Sequence, residues 1–448
     1  MLEFINILIT PLIFIFLLNF PLNLIGKKSI LLIQIKQLDF FEKILINSIF
    51  IINLFLLLSF FKIDLTISLN VLIFLCVFNF IFQILTEKNI KYDKDFLKVL
   101  VCFFVVNIVL FVEVSYNPIL SWDGVHHWIF KAQTFLQGGS LENLKGLPSD
   151  HYPHLGSYIW AFFWKNSFLQ LEYFGRFFFI FLLCTSLFSC MSHLKLDLNI
   201  KVIIVVLLIF IIFDRFLMGG YQEFLLFHSF FCISKLIFYK NSKDYRLNDY
   251  IFIILYLLAA NILIWTKQEG LFHYILIISL FLLYFQKFNL YFKISNLLTF
   301  FSLSVLLIGI FFIVKINFFG QVEFSNEIIH ENLIDKFSFQ FFITNVLLLL
   351  KYFTISCFKH PVFLLIIFFF GYALIFTNLL KNKIYFLFFL FGEAIIIFSI
   401  YFFIDSDLKW LLPLTFSRVM FPLCGFFISD LVLIINNFLF KINKIYFK

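Results

Sequence analysis

Charge is what this sequence has least of. Of its 448 residues, 13% are Asp, Glu, Lys or Arg and 62% are hydrophobic. A soluble domain carries about 25% charged and 45–50% apolar residues, so no water-facing domain of useful size is left over. Paired cysteines are missing too. Cys76, Cys102, Cys184, Cys190, Cys232, Cys357 and Cys424 are odd in number, and no two form a C-x-x-C pair. Most lie inside apolar runs, where the thiol behaves as a small hydrophobe. This excludes a disulfide framework and a thiolate metal centre. No basic leader precedes the first apolar stretch, which starts after Met1, Leu2 and Glu3, so residues 4–25 read as a span that stays in place. Internal repeats and low-complexity linkers are absent, and residues 1–448 read as one polytopic membrane domain.

The net charge of +8 does not point to nucleic acid, because the lysines fall in short clusters between apolar runs. That is topology information. The 75 Phe residues, with abundant Ile, Leu, Lys and Asn, reflect a biased base composition and still serve a lipid-facing surface.

Apolar runs of about 18 residues or more each read as a transmembrane helix. They fall near 4–25, 44–61, 65–85, 97–114, 172–192, 200–218, 223–239, 250–266, 271–286, 295–316, 361–380, 384–404 and 415–437. The expected fold is an all-α integral membrane protein with about 13 transmembrane helices. Two further apolar stretches, 154–169 and 341–358, are decided by charge. Seven basic clusters hold 20 of the 34 Lys and Arg residues: Lys27/Lys28/Lys36/Lys43, Lys88/Lys91/Lys94/Lys98, Lys195/Lys201, Lys240/Lys243/Arg246, Lys287/Lys293, Lys381/Lys383 and Lys441/Lys444/Lys448. Basic residues in short loops mark the cytoplasmic side. All seven face it only if neither ambiguous stretch crosses, so both are read as interfacial or re-entrant helices on the outer side. The N-terminus is then outside and the C-terminus inside. The outer side carries excursions at 115–171 and 317–360, and short turns at 219–223, 266–270 and 405–410. Nearly every unusual polar residue lies on that face.

The densest polar island is 116–128, Tyr-Asn-Pro-Ile-Leu-Ser-Trp-Asp-Gly-Val-His-His-Trp. Ser121 is placed to cap a helix starting near Trp122. Asp123 then lies in the first turn, with His126 and His127 on its face. An acid in a first turn is also what the helix dipole favours, so the island alone leaves a structural role open. His126 and His127 shape an acceptor site, bind a metal with His151 or His154, or sit among headgroups. His151, Tyr152, Pro153 and His154 open the 154–169 helix, with Pro153 suited to its first turn. Arg176, a few residues inside a span, needs a partner or water, and Glu172 four residues earlier supplies one. Lys267 and Glu269 flank one turn, and Tyr221 and Glu223 another. Arg418, between Pro413 and Pro422, is placed either to grip a phosphate or to snorkel. Most charges lie at helix ends, with Lys235 an exception.

Taken in order, Trp122-Asp123-x-x-x-x-Trp128-x-x-Lys131-Ala132, Tyr152-Pro153-x-Leu155-x-Ser157, Glu172-x-x-x-Arg176, Thr266-Lys267-x-Glu269-Gly270 and Ser417-Arg418 resemble the polytopic GT-C glycosyltransferases. Within them the pattern is similar to the bacterial group related to protein mannosyltransferases and lipid A aminoarabinose transferases. The resemblance covers about residues 97–440; the spans within 1–96 align less clearly. It implies a sugar transferase at the outer face of the bacterial inner (plasma) membrane. The donor would be a polyprenyl-phosphate-linked sugar, and the acceptor a glycan, lipid or protein. By position Asp123 would be the catalytic base. Donor and acceptor binding would fall to Glu223, Lys267, Glu269 and Arg418, with His126, His127, Tyr152, His154 and Arg176 lining the site. No cofactor is required, although a divalent metal stays open. His126-His127 after the acid and Gln222-Glu223 in the second loop depart from relatives and leave the acceptor class open.

Elementary chemistry agrees with this reading. An acceptor hydroxyl needs a base within hydrogen-bond reach, and a departing phosphate needs cationic donors. One displacement inverts the anomeric centre. Rival readings are an O-antigen polymerase or ligase, whose large outer loop tends to come late in the chain, and a transporter or flippase of lipid-linked sugars. The latter would carry ionisable residues near mid-span. A transferase-like fold without activity is a third reading.

Overall fold

The computed structural model describes residues 2–19, 38–86, 94–214, 218–220, 222–241, 248–287, 294–319, 339–359, 361–376, 384–403 and 408–446. Tyr221, the 405–407 part of one expected outer turn, residues 320–338 and 360 of the 317–360 excursion and many of the lysines that set the expected orientation lie outside them.

The described residues are helical and contain no strand. In chain order the helices are α1 (Leu2–Asn19), α2 (Phe40–Ser59), α3 (Leu65–Thr86), α4 (Lys94–Tyr116), α5 (Ile129–Leu136), α6 (Leu155–Lys165), α7 (Phe174–Phe188), α8 (Leu198–Ile212), α9 (Glu223–Asn241), α10 (Asp249–Thr266), α11 (Gly270–Lys287), α12 (Ile294–Phe318), α13 (Phe339–Lys359), α14 (Pro361–Phe376), α15 (Ile384–Phe403) and α16 (Leu408–Tyr446). A helix lies at each of the thirteen expected span positions. Among the described residues, seven are long and apolar enough to cross a membrane: α2, α4, α7 with its continuation to His193, α10, α12, α15 and α16. Most of α13, from Ile343, and the whole of α14 form one more apolar pair, bent by 89°. The chain is a multi-pass membrane protein on these helices. The α6 stretch is only 11 residues long, about 16 Å, which is too short to span the roughly 30 Å hydrocarbon core.

Burial separates centre from perimeter. In α7, 94% of the apolar window is inside the protein, against 22% in α12. The perimeter helices keep their apolar residues toward lipid, as Val305, Ile313 and Leu306 do on α12. The most telling helix is α9, which is not among the seven. It carries Glu223, His228, Lys235 and Lys240, yet Glu223, His228 and Lys235 are fully buried. Protein surrounds it, so its polar groups are matched by protein partners rather than by lipid.

Small residues set the closest contacts. Helices α9 and α16 run side by side in the same direction, with Ser234 bonded to Ser429 at 2.6 Å. A Cβ on Gly425 would sit 2.2 Å from the Phe227 carbonyl oxygen. The bare glycine lets the two backbones approach. Arg418 lies two turns earlier on α16 and Glu223 one turn earlier on α9, so the same approach brings them together. Pro413 and Pro422 sit inside α16, each removing one backbone donor, and bracket Arg418.

Candidate active site

Two loops meet beneath the polar island. The Ser121 backbone N–H and hydroxyl both donate to the Gly219 carbonyl, at 2.8 and 2.7 Å. The hydroxyl thus crosses to the neighbouring loop rather than capping its own helix as expected. A second loop is already within reach, and its carbonyl would otherwise lose a donor. A Cβ on Gly124 would lie 2.2 Å from the same carbonyl. Gly220, at φ +95, would push a Cβ to 2.8 Å from the Trp160 ring. Bare glycines on both loops, one of them left-handed, therefore permit this contact. Immediately after Asp123 the chain makes one π turn, Gly124–Trp128, closed by the Ile129 N–H on the Gly124 carbonyl. Single π turns recur at functional sites, where they re-aim side chains.

Arg176 fastens both loops from below. Its guanidinium donates to the Met218 carbonyl at 2.6 Å and the Pro118 carbonyl at 2.9 Å, and pairs with Glu172 at 2.8 Å. The expected Glu172 partnership is present. Arg176 itself is 1% exposed, and both of its terminal nitrogens reach backbone carbonyls of the two loops, so it positions Asp123 rather than facing an open site.

Above this platform five of the expected site residues form one charged network. The Arg418 Nη1 meets Asp123 Oδ2 at 2.8 Å, and its Nε lies 3.1 Å from Glu223 Oε1. The same Glu223 oxygen accepts from Lys267 Nζ at 2.7 Å. Lys267 also lies 3.7 Å from Glu269. The members come from the island, the start of α9, the turn between α10 and α11, and α16. Burial would drive the Lys267 proton off, but Glu223 and then Glu269 outweigh it and hold the ammonium above its ordinary pKa. Burial likewise pushes the Glu269 carboxyl up, and Lys267 overrides it, leaving Glu269 below the usual range. Three acids share two cations. Glu223 is fully buried, and its second oxygen, Oε2, has no hydrogen-bond partner. Asp123 and Arg418 keep 18% and 15% of their side chains exposed.

A neighbouring charged pair was missed from the sequence. His273, one turn past Glu269 on α11, pairs with Glu393 at 2.9 Å. Glu393 is fully buried midway along α15. It corrects the expectation that, apart from Lys235, charges keep to helix ends. A lone acid inside an apolar run was the available signal. His273 was visible only as the i+4 neighbour of Glu269.

The remaining candidates stand apart from the network. His126 is exposed, with its ring 4.5 Å from that of Trp122. His127 bonds the Ser149 hydroxyl and stacks on Tyr152 with centroids 5.4 Å apart. These rings form an aromatic rim. His154 is turned inward: its Nε2 lies 2.7 Å from the Ser59 hydroxyl, and Trp265 and Phe319 pack around it. Burial, with Lys131 nearby, lowers its pKa to about 3, so it stays neutral and anchors the loop to the end of α2. Among the described residues no three His, Cys, Asp or Glu side chains come together as a group able to hold a metal. Compared with known proteins, the chain matches no family model, no curated protein and no solved structure.

Proposed function

We propose that the chain is a membrane glycosyltransferase of GT-C type, with thirteen spans and its site at the outer face of a bacterial plasma membrane. It moves a sugar from a polyprenyl-phosphate donor to a glycan, lipid or protein acceptor. One observation carries the reading: Asp123, Glu223, Lys267, Glu269 and Arg418, spread over almost 300 residues, meet in one partly open network. A carboxylate beside a guanidinium and an ammonium is the minimum set for this reaction.

Asp123 takes the proton of the acceptor hydroxyl as that oxygen bonds to the anomeric carbon. The bond from this carbon to the phosphate oxygen breaks with its electron pair, and Arg418 and Lys267 stabilise the charge that develops there. Before the donor binds, Arg418 is held by Asp123 and Glu223. A phosphate is a competing bidentate acceptor for the guanidinium, so its arrival frees the Asp123 carboxylate to act as base. Glu223 Oε2 supplies a hydrogen-bond acceptor for a sugar or acceptor hydroxyl. The single displacement inverts the anomeric configuration, and a product with retained configuration would exclude it. The direct test is Asp123→Asn in membranes supplied with a lipid-linked sugar. Transfer near the wild-type rate by folded protein would remove Asp123 as the base.

A second reading, transport of lipid-linked sugars, is favoured by the buried His273–Glu393 pair, because intramembrane ionisable groups mark translocation paths. Proteoliposomes separate the two. Movement of the intact lipid-linked sugar without a new glycosidic bond supports transport, and a new bond supports transfer.

A further inference from the structure

We propose that a groove beside α1 holds the acyl-ester region of a membrane glycerolipid. The groove, of about 370 Å³, runs between α1, the end of α6 and the start of α7. It lies at the end of the bundle that carries the Asp123 island. Ile5, Ile9, Ile13, Phe163 and Phe168 line it, and all of these but Phe163 are exposed on the lipid-facing side.

One lining side chain does not fit an apolar wall. Asn6 is 6% exposed, and its Nδ2 has no hydrogen-bond partner. An unmet buried amide donor is costly, because it has given up its bond to water, and lipid tails offer it nothing. The other donors in the lining are spent. Thr10 donates to the Asn6 carbonyl at 2.7 Å, Asn166 to the Phe162 carbonyl at 2.8 Å and Ser167 to the Trp164 carbonyl at 2.9 Å. The groove therefore asks for an apolar chain bearing a single neutral acceptor.

That specification selects among lipids. A polyprenyl tail has no acceptor along its length. Its phosphate would need a cation, and none of the groove-lining residues is charged. A free fatty acid carries its charge where the groove has no partner for it. The carbonyl of an acyl ester is neutral, accepts one hydrogen bond and sits just below the headgroup. Asn6 sits at a matching level, one turn below Glu3, whose carboxylate takes the Tyr173 hydroxyl. The inference is independent of the transferase reading.

The test uses the full chain purified in detergent and native mass spectrometry. Dioleoyl phosphatidylethanolamine is titrated against its dialkyl ether analogue, which keeps the chains and headgroup but lacks the ester carbonyls. The wild type is expected to retain one diester lipid and to prefer it over the ether by roughly fivefold to tenfold, the value of one such hydrogen bond. Asn6→Leu is expected to lose the preference, and Ile9→Trp, which fills the groove, to lose the retained lipid. Equal retention of ester and ether by the wild type overturns the proposal. So does displacement of the bound diester by an equal concentration of a polyprenyl phosphate. The wild-type comparison decides the matter even if the Asn6 variant does not fold.

Discussion

Helix α9 carries a charged network at each end, and the two are built differently. At its start Glu223 joins Arg418, Lys267, Asp123 and Glu269. Twelve residues on, roughly 18 Å along the axis, Lys235 meets Glu42 at 3.3 Å with both side chains sealed from solvent. There both charges are matched. Lys235 also donates to the Ser189 carbonyl at 2.7 Å and lies 2.6 Å from His193 Nε2. Glu42 takes the Ser192 hydroxyl on one oxygen and the Asp39 N–H on the other. A closed network of this kind fastens α2, α7 and α9 together. The Asp123 network has an excess of acid, a shared oxygen, an unpartnered Glu223 oxygen and three members, Asp123, Glu269 and Arg418, partly open to solvent. Full pairing marks a fastener, and incomplete pairing with access marks chemistry.

Crossed substitutions break or sharpen that contrast. Asp123→Asn should cut sugar transfer by about 10²–10⁴-fold, the usual contribution of a general base. Its unfolding midpoint should barely move, because the pair it loses is partly solvated. Lys235→Met should do the reverse. It leaves Glu42 buried without its cation, at a cost of about 3–5 kcal/mol, while transfer per folded molecule stays within a few fold. Adding Glu42→Gln to Lys235→Met should recover much of the loss. Thermal unfolding in detergent, read beside transfer assays on the same preparations, checks both. If both substitutions damage stability equally and activity equally, the contrast is wrong.

Much of this was legible in the sequence, and the gaps have physical reasons. Apolar runs announce helices because lipid and protein interior both demand them, so each expected span coincides with a helix. Which of them cross is less legible. Helix α9 is polar because it is wrapped in protein, and a hydropathy window does not detect that. The charged residues near helix ends were visible singly, since a charge beside an apolar run stands out. Their meeting was not, because it depends on Gly425, Gly124 and Gly219 permitting close approach. Arg176 illustrates the limit. Its bond to Glu172 is an i, i+4 pair and so is local, whereas its bonds to Pro118 and Met218 exist only once two distant loops have met.

The glycine that sets the reach of Arg418 offers a smaller effect. Gly425→Ala puts a methyl 2.2 Å from the Phe227 carbonyl oxygen. Backbone cannot swing aside as a side chain can, so α16 must shift away from α9. Overpacking of this kind costs about 1–3 kcal/mol. The contrast sharpens here, because the two networks should respond unequally. The Arg418 contacts depend on the α9–α16 spacing, whereas Glu42 and Lys235 are joined through α2 and α9. Transfer should therefore fall by more than the stability loss predicts. An activity that tracks only the folded fraction would show that the spacing does not set the site.

Lys131 supplies a third buried lysine, and the smallest effect. Lys235 and Lys267 each pair with a carboxylate, whereas Lys131 bonds the Tyr152 backbone carbonyl at 2.5 Å, beneath the Trp128 and Tyr152 rings. Burial lowers its pKa to about 7, with Asp150 opposing only in part. In the unfolded chain the amine titrates near 10.4. Between these values the unfolded state binds a proton that the folded state does not, so stability rises with pH. The gain from pH 7 to pH 8 should be about 1 kcal/mol, and below pH 7 the term should flatten as both states hold the proton. Lys131→Met should remove this slope. Lys267, whose folded pKa is raised beside Glu223, contributes nothing to it, because its stabilisation is lost only as pH rises above the ordinary lysine value. A pH-resolved unfolding series on wild type and Lys131→Met thus separates a lysine buried beside carboxylates from one buried without them. If the slope persists in the variant, the proton is held elsewhere.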